Sequence, residues 1–67
     1  MILGADYVKN EKLLTICITD NIDGYMRVIE VKNIEDVISE KQAVKFCNQL
    51  YKRFNCDKMI LGDNLRM

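Results

Sequence analysis

The chain has no histidine, no proline, no tryptophan and a single serine, Ser39. Without histidine, no nucleophile–base pair built on imidazole can form, and the lone serine has a structural explanation given below. The three glycines, Gly4, Gly24 and Gly62, are too widely spaced to make a glycine-rich phosphate cradle. Their scarcity, with no proline, describes a compact chain rather than a linker. Cysteine is sparse and odd in number: Cys17, Cys47 and Cys56 lack the close spacing of zinc ligands, and a disulfide framework would leave one thiol over. Cys17 and Cys47 are expected as small buried hydrophobes in a reducing compartment, and Cys56, just past the helix, as a structural thiol, the alternative being an exposed thiol without a base to activate it.

An excess of charge of one sign is missing too. Ten Lys and Arg balance ten Asp and Glu. The basic footprint of a nucleic-acid binder is absent, as is the acidity of a DNA mimic. No run approaches the roughly 18 apolar residues of a membrane span, and the N-terminus does not read as a signal peptide. A soluble, cytoplasmic protein is expected, with no nucleic-acid and no membrane partner.

Sixty-seven residues, 1–67, make a single domain. A chain of this size buries only about 60% of the surface its unfolded form exposes. Small folds gain the rest from disulfides, a metal or self-association, and the composition leaves self-association. The abundance of Ile, Lys, Asn and Asp suggests an AT-rich coding sequence, hence a low-GC bacterium or one of its phages.

What is present begins with a β-hairpin over residues 12–32. Leu13-Leu14-Thr15-Ile16-Cys17-Ile18 and Met26-Arg27-Val28-Ile29-Glu30-Val31 flank Asp20-Asn21-Ile22-Asp23-Gly24, whose Asx and Gly residues tolerate positive φ. Strict alternation puts Ile29 and Val31 on the face of Ile16 and Ile18, and Met26 and Val28 on the other. Residues 1–8 read as an edge strand, because Gly4 and Asp6 weaken an interior one. Residues 34–38 read as a short helical turn. Ser39 followed by Gln42 is a capping box, and Ala43, Val44, Cys47, Leu50 and Phe54 then recur at helical spacing to about residue 54. Asn55 suits the C′ position, and residues 58–62 a last strand. The expected fold is α+β, a small antiparallel sheet of three or four strands with one helix packed on one face.

Candidate chemistry is thin. Glu30 and Lys32 end a strand that follows a hairpin and precedes a helix and another strand. That order resembles the core of the PD-(D/E)xK nucleases, in which carboxylates and a lysine converge on a divalent cation. The resemblance covers about twenty residues. It implies a metal site at Glu30 and Lys32 with Asp20, but Thr15 stands where the family's aspartate would be. The leading expectation is therefore a non-catalytic, self-associating binding protein with no cofactor. Its partner would be a host protein or a small ligand, and the gene a phage's or mobile element's. Tyr25, Arg27, Arg53 and Arg66 are the binding candidates, since aromatic and arginine side chains are enriched at hot spots. Met26, Val28, Leu65 and Met67 are the interface candidates, the last two docking on the domain or on a second copy. A further alternative is an accessory subunit that pairs through its sheet edge.

Overall fold

A computed structural model describes residues 1–65. Strands β1 (Ile2–Val8), β2 (Leu13–Ile22) and β3 (Tyr25–Ile34) are followed by helix α1 (Glu40–Arg53) and strand β4 (Lys58–Leu61). They form a two-layer α+β fold, one four-stranded sheet in the order β3-β2-β1-β4 with α1 on one face. The first three strands run antiparallel, as expected, but β4 lies parallel to β1, so the sheet is mixed.

Strand β1 is therefore central, not an edge. Leu3, Ala5 and Tyr7 alternate into the core, and that burial outweighs the weakness of Gly4 and Asp6, which face the other way. The Tyr7 hydroxyl donates to the Val37 carbonyl, and the Val37 amide donates to the Lys12 carbonyl at 2.9 Å. These bonds hold residues 35–39 as an irregular connection, with Asp36 at φ 60°, where a helical turn was expected. Leu14, Ile16, Ile18, Val37 and the α1 residues Ala43, Val44, Cys47 and Leu50 complete the interior.

The hairpin closes more tightly than its composition suggests. Strand pairing continues to Ile22 and Tyr25, leaving a two-residue connection, Asp23-Gly24, with φ of 53° and 83°. Positive φ at both central residues is the requirement of a type I′ turn. A bulge between Ile18 and Thr19 then changes the faces of β3: Glu30 and Lys32 stand opposite Ile18 and Ile16, while Val31 stands opposite Cys17. Alternation alone had placed Val31 with Ile16, and the extra residue, Ile29, is what moves it.

Both helix ends follow their sequence signals. Ser39 Oγ accepts from the Gln42 amide at 3.1 Å, and Gln42 Oε1 accepts from the Ile38 amide at 3.0 Å, one residue before the capping-box position. At the C-terminus Asn55 has φ 51°, its amide donates to the Lys52 carbonyl, and the Cys56 amide donates to the Tyr51 carbonyl at 3.0 Å. That pair of bonds is a Schellman motif with asparagine at C′. It turns Cys56 into the core, as a structural thiol and not an exposed one. Burial pushes both the Cys56 and Cys47 thiols up from the ordinary range, so neither is an activated nucleophile. Cys17 is only half-buried, on the face away from α1.

Candidate functional site

Two places carry chemistry that packing does not use. The first lies where the parallel strands β1 and β4 end. Their register sets Ala5 opposite Leu61, so Asp6 stands beside Gly62, and the Gly62 amide donates to the Ala5 carbonyl at 2.8 Å. Asp6 points away from the helix and is exposed. One carboxylate oxygen accepts from the Tyr7 amide at 3.0 Å. A Cβ on Gly62 would stand 2.5 Å from that oxygen and 3.3 Å from the Ala5 carbonyl oxygen, so glycine lets the strand end lie against the carboxylate. Asp63 follows at once and opens the short 3-10 turn Asp63–Leu65. Asp6 thus lies two residues before the end of β1, and Asp63 two residues beyond the end of β4. No ion pair compensates Asp6 among the described residues. A shallow groove of about 360 Å³ runs from Asp6 and Gly62 over Gly4 toward Thr15, Cys17 and Ile60.

The second place is the sheet face opposite α1, together with the hairpin that projects beyond it. Ile60, Gly4, Cys17 and Val31 form one row across all four strands. Ile60 and Val31 are about half exposed, at 52% and 53%, and Val28 and Met26 more so, at 58% and 75%. The surface totals 4988 Å², against about 4,400 Å² expected for a compact monomer of this mass. The excess fits a sheet covered on one side only.

The residues singled out from sequence divide between places. Tyr25 and Arg27 are exposed on the projecting hairpin, on the face of Ile18, and Met26 and Val28 are on the bare face. Arg53 joins Lys32 in a groove of about 550 Å³ between α1 and β3, lined also by Ile34, Phe46 and Leu50. Leu65 takes the first of its two expected dockings: it is 1% exposed, packed into the chain's own core. Arg66 and Met67 lie outside the described residues. Asp20 stands opposite Arg27, with its carboxylate accepting from the Asn21 amide and 3.9 Å from the N-terminal amine. Glu30 stands opposite Ile18, and no group of three or more His, Cys, Asp or Glu among the described residues could hold a metal.

Sequence reasoning missed Asp6, Gly62 and Asp63. The available signal was an acid at the end of each of two apolar strands, Ile2–Val8 and Lys58–Leu61. It acquires meaning only once those strands are known to be parallel neighbours. No family model, curated protein or solved structure matches the chain.

Proposed function

We propose that the chain carries a two-aspartate divalent-cation site, formed by Asp6 and Asp63, that acts on phosphate esters. The observation that carries this reading is the exposed Asp6 carboxylate, with no ion pair among the described residues, lying against Gly62 just past the end of β4 and one residue before Asp63. Magnesium-type ions are commonly held by one or two carboxylates plus the substrate's own phosphate oxygens, so two acids suffice. A bound cation supplies an activated water without histidine, serine or thiol, the groups this chain lacks or buries. A neutral protein attracts a phosphate through that ion rather than through a basic surface. The nuclease-like reading of the sequence is thereby kept in kind and moved from Glu30 and Lys32 to Asp6 and Asp63.

The test is thermal melting with Mg²⁺ or Mn²⁺, followed by cation-dependent hydrolysis of a simple phosphodiester and of DNA. An ion at a hundred times its dissociation constant adds about 2.7 kcal/mol, which for a domain of this size raises Tm by on the order of ten degrees. Asp6→Asn should abolish both the shift and the hydrolysis, and Gly62→Ala, which displaces the Asp6 carboxylate, should weaken both. A wild-type melting curve indifferent to millimolar Mg²⁺ and Mn²⁺ defeats the proposal.

A second reading, an interaction module that docks a protein partner or ligand on its bare sheet face, is favoured by the row of Met26, Val28, Val31 and Ile60. The two readings use different parts of one face and are compatible. Apolar-to-polar changes at Met26 or Val28, away from Asp6, that alter partner capture from the native host but not the cation response would separate them.

A further inference from the structure

Strand β3 is an outer strand of ten residues, with no strand on its far side among the described residues. Long apolar edges invite pairing, and proteins usually blunt them with charge, proline or bulges. Here there is no proline, and the bulge does something else.

Because Ile29 is the extra residue, Arg27 and Glu30 fall on the same face, opposite Asp20 and Ile18. Met26, Val28 and Val31 share the other, opposite Asn21, Thr19 and Cys17. An unbulged strand would put residues three apart on opposite faces. We propose that the β3 edge pairs antiparallel with β3 of a second copy about a two-fold axis between Val28 and Ile29, making one continuous eight-stranded sheet.

In that register Arg27 stands opposite the second copy's Glu30, and Glu30 opposite its Arg27, so two ion pairs form on one face. On the other face Met26 stands opposite Val31 twice, joining the two bare apolar surfaces. Tyr25 meets Lys32, again on matching faces, since they stand opposite Ile22 and Ile16 of β2. The two bulges flank the axis, where each copy's additional residue, Ile29, stands opposite the other's Val28. Sliding the pairing by two residues one way sets Arg27 against Lys32, a like-charge pair, and sliding it the other way sets Arg27 against Val28, on the opposite face. Charge and facing therefore select one register, and the selected one is self-complementary, as a two-fold contact must be. This inference rests on the interaction reading and not on the cation site.

The experiment is sedimentation equilibrium of wild type, Arg27→Glu, Glu30→Arg and an equimolar mixture of the two variants, with circular dichroism to confirm folding. Both substitutions are on exposed or half-exposed edge positions, away from the core. Wild type should show a concentration-dependent dimer. Each variant alone sets like charges opposite each other twice, and its dissociation constant should rise by about tenfold or more. The mixture should recover the dimer as a heterodimer, because one chain then presents only acids and the other only bases at these positions. A wild type that stays monomeric to millimolar concentration overturns this pairing and leaves the bare face to a different partner. Variants as dimeric as wild type, or a mixture no more associated than its components, overturn the register.

Discussion

The two faces of the sheet are built from the same strands and treated in opposite ways. On the helix side Leu3, Tyr7, Leu14, Ile16 and Ile18 are at most 1% exposed. On the other side Ile60, Val31 and Val28 keep half or more of their surface in water, beside Asp6, Thr15 and Cys17. The first face is closed by α1, Val37 and Leu65, and the Tyr7 hydroxyl buried in it is bonded to the Val37 carbonyl. The second holds the acids, the groove and the greasy rows. Stability resides in one face, and the functions proposed above are assigned to the other. Sidedness of this kind explains how a small domain can carry exposed apolar rows and still fold.

The comparison is broken most forcefully by Leu14→Ala. It empties a fully buried site and should cost about 2–5 kcal/mol, whereas Val31→Ala on the bare face should cost about 0.5 kcal/mol or less in dilute solution. Urea titration of both reads the asymmetry directly, and equal losses would mean that the bare face is covered. Next in size is Tyr7→Phe, which leaves the Val37 carbonyl without its buried donor. A loss of about 1–3 kcal/mol is expected, measured by the same titration. Ser39→Ala removes the α1 cap for about 1 kcal/mol, seen as a lower Tm without change in the cation response. The smallest effect concerns the N-terminal amine, which donates to Asp57 at 2.9 Å. That hydrogen bond, with the coulombic pull of the same carboxylate, raises the amine above its ordinary 8.0. A group raised in the folded state stabilises below its unfolded value, and the contribution disappears as pH rises through the folded one. Stability should therefore fall slightly above pH 8 in wild type and less so in Asp57→Asn, where Asp20 still acts on the amine, and the pair is exposed enough for salt to erase the difference.

Much of this architecture was legible in the residues. The period of Ala43, Cys47 and Leu50, the Ser39 cap, Asn55 at C′ and the β-branched runs each act locally, so each could be read locally. Three features could not. The bulge beside Ile18 has no residue signature, yet it decides which of Ile29, Glu30 and Val31 faces the helix. The place of β1 in the middle of the sheet depends on β4 arriving from far along the chain. Asp6 and Asp63 lie 57 positions apart, and nothing within either strand announces the other. Glu30 and Lys32 attracted attention because they are close in sequence, and proximity along the chain is a poor guide to convergence across a sheet.

The pairing of Ile2 with Lys58 and Ala5 with Leu61 also sets an order of events. The antiparallel hairpins need only short excursions of the backbone and can zip early, but the seam between β1 and β4 closes a loop of more than fifty residues. Until that seam forms, the middle strand exposes one raw flank, and Asp6 has no neighbour from β4. Loop closure therefore makes this seam the late step expected in assembly, and the Asp6–Gly62 contact forms only with it.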